Sequence, residues 1–520
     1  AEDGIRDDLV TGVQTCALPI SIQLVWLWPL ADWPARTAEG IFLDNQTPMA
    51  ISPDGRLTTI LATGALQPKS VSWIADPSLL QSVAEMGDGY QVVRGDDVVV
   101  GDGDVHARLW LQNLQETLER AQPPASSQPV LRVLPYADVD AGSLVRARMD
   151  TDLVSSITRA GPVATSILNR HVIDGVYWAP FGRLDQETIN ILAAAGVRTI
   201  VLSGRALRAV DGYAGANTGR AVLRTQHGTV NAVLREPRMS DLVSTKPATK
   251  SEAILARQAF LAESALLAQS IPESQPSRAV VVGPDDIRWS LAPEMMNALV
   301  KATVNAPWLS PLSLTDLLSA PANPIQREPS GYGKKAKNAE LDPAYLSQIR
   351  MTSQDLGSFT SVLDSPVGVA DSYSAALQRS MSSAWRTAPR RGDELLGSIK
   401  TSLDEQTSRV KVLSAGQVTF SGDSGRIPVS PKDTKEYEDD SERSEISRRV
   451  PRPYRGGSQH TGQCGEGHSW TQGAKRRARE ELRRPDRHQG WCVGRQGDRA
   501  PGPVREHGRS DGQGSRVQDL

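Results

Sequence analysis

The stretch Val71-Ser-Trp-Ile-Ala-Asp-Pro77, continued by Ser78-Leu-Leu-Gln-Ser-Val-Ala-Glu-Met-Gly87, decides the fold class. Its first part is short and rich in β-favouring and apolar side chains, the pattern of a strand covered on both faces. Asp76 then stands where a helix needs an N-cap. Pro77 takes the first helical position, where its missing N–H costs nothing. Leu79, Leu80, Val83 and Ala84 return at helical spacing to one face, and Gly87 ends the helix. A strand that passes at once into an amphipathic helix is half of a βαβ unit.

The same half-unit recurs on either side. Upstream, Ile22-Gln-Leu-Val-Trp-Leu-Trp28 is closed by Pro29 and followed by Asp32. Downstream, Val130-Leu-Arg-Val-Leu134 leads into Pro135-Tyr-Ala-Asp-Val-Asp140, and Gly175-Val-Tyr-Trp178 leads into Ala179-Pro-Phe-Gly-Arg183. After a helix capped by Asp185 come Val197-Arg-Thr-Ile-Val-Leu202 and Thr229-Val-Asn-Ala-Val-Leu234, the latter ending at Arg235-Glu236. Ala279-Val-Val-Val-Gly283 ends at Asp285-Asp286. About seven strands joined by helices predict an α/β fold with a parallel sheet, closed as a barrel or open. The barrel-like (β/α) form is preferred for residues 21–325. Residues 326–409 read as a helical segment, with Leu341, Tyr345, Leu346 and Ile349 as its clearest apolar set. Residues 410–430 read as the start of a truncated β-sandwich.

The two ends differ from this interior. Val10 to Ile20, VTGVQTCALPI, resembles the in-frame translation of a common short-read sequencing adapter, so residues 1–20 are set apart as an artefact. From Pro431 the apolar periodicity stops, and residues 431–520 are rich in Arg, Gly, Gln, Glu and Ser. Such a segment buries too little to offset its ordering entropy and is expected to be disordered. A frameshift accounts for it, because the break falls inside the strand-like run around Gly416–Ser430; a genuine basic tail that touches RNA is the alternative. Cys464-x3-His468 and His488-x3-Cys492 have zinc-like spacing, but few apolar residues surround them to build a module.

Across all 520 residues the net charge is −2, with 39% hydrophobic and 23% charged residues. That balance argues against a nucleic-acid or membrane-surface role for the whole chain. All three cysteines, Cys16, Cys464 and Cys492, lie outside residues 21–430, so no disulfide framework or thiolate metal site is expected there. No run reaches the roughly 18 apolar residues of a membrane span, and no signal-peptide pattern is read. A phosphate loop, a Gly-x-Gly-x-x-Gly after a strand and a Gly-x-Ser-x-Gly elbow are likewise not found, so no cofactor is expected.

Barrel enzymes carry their chemistry on loops at the C-terminal ends of the strands. Those ends here hold Asp32, Asp76, Asp138, Asp140, Trp178, Arg183, Arg235, Glu236, Asp285 and Asp286. Each acid has a plain reading as a helix cap. A carboxylate pair can instead run glycoside hydrolysis, one acid protonating the leaving oxygen while the other serves as base or nucleophile. Asp138 and Asp140 share a side if extended, with Asp76 on the neighbouring strand, so these three are the candidate catalytic residues. Indole faces stack on sugar rings. Trp28 and Trp178 are therefore candidates to line a groove, with Asp32, Arg183, Glu236 and Asp285 as ligand-binding neighbours.

Four strings in order, Trp28-Pro-Leu-Ala-Asp32, Trp73-Ile-Ala-Asp-Pro77, Leu134-Pro-Tyr-Ala-Asp-Val-Asp140 and Ser424-Gly-Arg-Ile-Pro428, resemble an uncharacterised family of large actinobacterial cell-envelope proteins. The resemblance covers most of residues 21–430. It implies an extracytoplasmic setting and a membrane-anchored parent whose signal and anchor are not in this chain. It also implies a peptidoglycan-assembly protein as a partner. Tyr177-Trp-Ala-Pro-Phe-Gly-Arg-Leu-Asp185 further resembles the stretch where polysaccharide deacetylases and related glycoside hydrolases place an Arg-x-Pro-x-Gly motif. Here Trp178 replaces that Arg, and the metal-binding His-x3-His pair is missing, since His106, His171 and His227 lie far apart. The rim of acids and tryptophans without the metal histidines points to a degenerate carbohydrate-enzyme barrel without a metal, expected to bind glycan or a cell-wall-assembly partner without catalysis. An active glycoside hydrolase or deacetylase that uses the rim carboxylates is the alternative.

Overall fold

The computed structural model describes residues 21–122, 129–210, 219–271, 278–290, 292–323, 325–412 and 431–433. The adapter-like N-terminus, most of the expected β-module and nearly all of the tail, including the zinc-like Cys/His spacing, lie outside the described residues.

Seven strands, Ile22–Leu30 (β1), Val71–Ala75 (β2), Leu131–Val133 (β3), Val176–Trp178 (β4), Thr199–Ser203 (β5), Gly228–Arg235 (β6) and Ala279–Val282 (β7), pair side by side in the order β3-β2-β1-β7-β6-β5-β4. Every pairing along that path is parallel. The two ends of the path then meet. Ile173, just ahead of β4, donates its N–H to Leu131 O and accepts from the Val133 N–H, a parallel bridge to β3. The sheet therefore closes into a barrel of seven parallel strands, the α/β class expected from the sequence.

Closure sorts the strand residues into an inside and an outside. Val25, Leu27, Ile74, Val176, Trp178, Val201, Val233 and Val281 fill the interior as one cluster. Leu314 and Leu317 of the helix Leu314–Ser319 join them. That helix plugs the N-terminal end, where the Leu314 N–H donates to the Ser72 hydroxyl near the start of β2. The alternate residues Leu24, Trp26, Trp28, Leu30, Val71, Trp73 and Ala75 face outward beneath the surrounding helices.

This geometry corrects the expectation for Trp28. Its indole is fully buried between the barrel wall and the helix Arg56–Ala65, donating Nε1–H to Ile60 O at 2.9 Å and meeting the Trp289 ring edge-on at 5.2 Å. Gly64 is required there, since a Cβ on it would come within 2.4 Å of the Trp73 ring. Trp28 is wall packing and lines neither cavity at the barrel mouth.

The helices Pro343–Thr360, Val367–Ser380 and Pro389–Ser408 occupy the stretch expected to be helical. They share one apolar cluster with the outward residues of β4 to β6: Leu346, Ile349, Leu377, Trp385 and Leu396 lie in it with Tyr177, Ile200, Leu202 and Leu234. Barrel and helices thus form one compact unit. The turn Ser383–Arg386 reaches from them over the C-terminal mouth of the barrel. Val410–Val412 and Pro431–Asp433 pair antiparallel. Among the described residues no helix is long and apolar enough to cross a membrane.

Candidate functional site at the barrel mouth

Two adjoining cavities open at the C-terminal end of the barrel. The inner one, about 140 Å³, is lined by Asp138, Trp178, Phe181, Asp285, Asp286, Arg288, Ser383 and Arg386 among others. The outer one, about 650 Å³, is lined by Phe181, Arg183, Ser330, Tyr332 and Lys335 with small residues between. Phe181 is the shared wall.

Asp138 sits in a tight turn just past β3, where Ala137 and Asp138 both take positive φ, 62° and 47°. Left-handed backbone at a non-glycine residue costs about 1–2 kcal/mol and gathers at functional sites. The turn also overturns the extended geometry expected for Asp138 and Asp140, so the two carboxylates part. Oδ2 of Asp138 accepts from Arg288 Nη2 at 3.1 Å and from the Ser383 hydroxyl. Its Oδ1 has no partner among the described residues. Burial pushes this carboxyl up to about 6, against the pull of the Arg288 guanidinium.

Asp76 stands behind that turn. Its Oδ1 caps the helix Pro77–Gly87 through the Ser78 N–H at 2.8 Å and also accepts the Ala137 N–H at 2.9 Å. Burial pushes its carboxyl up to about 7, with the charge of Asp138 adding to the rise. Asp140 caps the helix Ala141–Arg146 and is gripped by Arg386 through two 2.6 Å bonds, Nε to Oδ2 and Nη2 to Oδ1. Of the three candidate catalytic acids, only Asp138 reaches the inner cavity. Asp76 supports its turn and Asp140 anchors the roof.

The other candidates divide similarly. Trp178 points into the barrel and lines the inner cavity, its ring 5.5 Å from the Arg235 guanidinium. Asp285 lines it too and pairs with Arg235 at 2.8 Å. Arg183 lines the outer cavity, donating to the Ser330 hydroxyl at 3.2 Å. Asp32 lines neither cavity; it is buried against Arg56 at 2.8 Å, and its backbone O accepts from Arg288. Glu236 also lines neither, and caps the helix Pro237–Ser244 through the Met239 N–H at 2.6 Å. Among the described residues no group of three or more His, Cys, Asp or Glu could hold a metal ion.

Several lining residues are absent from the sequence expectations. Arg288 follows the Asp285-Asp286 pair by two positions, and an arginine beside paired acids was a readable signal. Phe181 sits in the string Trp178-Ala-Pro-Phe-Gly182 with φ +53° and a half-exposed ring, 5.9 Å from the Arg386 guanidinium. Ser383, Arg386, Tyr332 and Lys335 come from segments far along the chain and carry no local signal.

Fold and site together define a seven-stranded parallel α/β barrel with a helical roof and a two-chambered mouth. The chain belongs to DUF6049, a family of unknown function, matched over residues 54–438. No curated protein matches it. Among solved structures it is similar to the alpha-amylase AmyC from Thermotoga maritima, at 10% identity and a TM-score of 0.49 over 75% of this chain and 93% of that one. It is similar to a 4-alpha-glucanotransferase from Thermococcus litoralis, at 11% identity and a TM-score of 0.38 over 76% of this chain and 60% of that one. A putative polysaccharide deacetylase from Mycobacterium smegmatis shares 11% identity at a TM-score of 0.30, over 59% of this chain and 94% of that one. At these identities and scores the three speak to neither site nor activity.

Proposed function

We propose that the barrel mouth binds glycan without cleaving it. The observation that carries this reading is Phe181, an aromatic ring held half-exposed on a left-handed backbone between the two chambers. An aromatic face at the lip of a polar cavity suits the apolar face of a sugar ring. The outer chamber has the size of a small-ligand site, whereas the inner one, about 140 Å³, has room for about one small ring. Catalysis is disfavoured by the state of the carboxylates. Of the three candidate acids only Asp138 lines the cavity, held there through Oδ2 by Arg288 and Ser383, while Asp76 caps a helix and Asp140 is paired with Arg386. Asp76, Asp138 and Asp140 therefore do not supply the carboxylate pair that glycoside hydrolysis places on either side of the scissile bond. The envelope-type motifs read in the sequence support an extracytoplasmic setting, with cell-wall glycan or a peptidoglycan-assembly protein as the partner.

The test is calorimetric titration of the protein with peptidoglycan fragments and envelope polysaccharides, beside a reducing-end assay for turnover. Binding without turnover, weakened by Phe181→Ala, is the expected result. Turnover that Asp138→Ala abolishes would make the protein an enzyme and overturn the reading, as would an absence of binding across the panel.

A further inference from the structure

The two chambers differ in charge. The inner one has acids on its wall, Asp138, Asp285 and Asp286, beside Arg288, which pairs with Asp138, and Arg386, which pairs with Asp140. The lining of the outer one contains two cations, Arg183 and Lys335, and no carboxylate.

The neighbouring acids are already engaged. Arg146 is bound by Asp185 at 2.6 Å and by Glu340, and its guanidinium lies 4.8 Å from the Tyr332 ring centroid. Arg386 is bound by Asp140 and donates to the Tyr332 hydroxyl at 3.3 Å. These contacts fix Tyr332 as an ordered floor and leave no acid for the outer cations. Among the described residues neither Arg183 nor Lys335 makes an ion pair; Arg183 instead is positioned by the Ser330 hydroxyl, which donates in turn to Arg205 O at 3.0 Å. A half-buried arginine held in place with no counter-charge, facing a cavity of about 650 Å³, is a site prepared for an anion.

Resting on the glycan reading above, we infer that the ligand is an anionic saccharide, with its ring on Phe181 and its carboxylate or phosphate against Arg183 and Lys335. Phe181 fixes this geometry, because it is the side chain that both chambers share. The sugar hydroxyls would then face the acid-lined inner chamber, and the anionic group the basic outer one. Reversing the ligand would bring its charge against Asp285 and Asp286.

The experiment titrates the full chain with matched monosaccharides and short oligosaccharides in neutral, uronate and sugar-phosphate forms, and with inorganic phosphate alone. The wild type, Phe181→Ala and the double variant Arg183→Ala/Lys335→Ala are compared, each checked by thermal melting. Charge-assisted hydrogen bonds of this kind give roughly tenfold or more in affinity. The expected result is that one anionic form binds at least about tenfold tighter than its neutral match. The double variant should remove that difference, and Phe181→Ala should weaken both forms. The uronate and phosphate arms identify which anion is read. Neutral and anionic sugars binding equally would overturn this inference while leaving glycan binding intact. Binding of none of the sugars would overturn both readings. Phosphate alone binding as tightly as the sugar phosphate would show an anion site with no saccharide specificity, and would also overturn the inference.

Discussion

Arg288 and Asp138, 150 residues apart in the chain, meet at 3.1 Å beneath the roof of the barrel mouth, both almost wholly buried. The same guanidinium donates to the Asp32 backbone O and to the hydroxyls of Ser382 and Ser383. One side chain therefore ties the ends of β1 and β3 to the helical roof.

A buried charge left without its partner is strongly destabilising. Arg288→Met is expected to lower unfolding stability by about 3–5 kcal/mol in urea denaturation. A loss under about 1 kcal/mol would mean that the roof does not depend on this contact.

Asp76 and Asp138 lie above the ordinary carboxylate value of 3.8, at about 7 and about 6. Between pH 4 and 7 the folded protein therefore holds more protons on these groups than the unfolded chain does. Their contribution to stability is greatest at acid pH and falls as pH rises through that window, by at most about 1.4 kcal/mol per pH unit per group. Asp76→Asn keeps a capping acceptor and removes the titration. Unfolding midpoints of wild type and variant from about pH 3 to 7.5 should converge at low pH and separate above it, with the variant the more stable. Parallel curves would refute this.

Trp28 is wall packing in this fold, so its loss should cost stability and spare binding. Trp28→Phe removes the hydrogen bond to Ile60 O and leaves unfilled volume, at a cost of about 1–3 kcal/mol. Glycan affinity measured well below the melting temperature should match wild type. A fall in affinity would return Trp28 to the site.

Phe181 holds φ +53°, which glycine adopts freely and alanine does not. Phe181→Gly should therefore melt higher than Phe181→Ala, by about 1 kcal/mol of stability, while both lose sugar affinity alike. Equal melting of the two variants would mean that the turn carries no strain at this position.

Much of the fold was legible because its signals are local. Asp76-Pro77 and Asp185 announce helices in sequence, and each side chain accepts the backbone N–H of its own helix. The tryptophans were less legible. Strands covered on both faces read as nearly continuous apolar runs, so alternation does not tell the barrel interior from the helix-covered exterior. Trp178 and Trp28 look alike in sequence, yet one lines the mouth and the other is sealed beneath a helix. The acids were hard to sort for a different reason. Positive φ at Ala137 and Asp138 turns a segment that reads as extended, and this divides Asp138 from Asp140.

The sequence by itself determined a parallel α/β fold of about seven strands, because caps, helical spacing and strand runs act within a few residues of one another. Only the tertiary structure decided which acids share a cavity and which are spent on structure. Arg288 reaches Asp138 across 150 positions, and Ser383 and Arg386 reach Asp138 and Asp140 across 245 and 246. Barrel closure and the docking of the helical roof bring those partners together. A carboxylate's role depends on its partners and its burial, and neither is a property of the residues next to it in the chain.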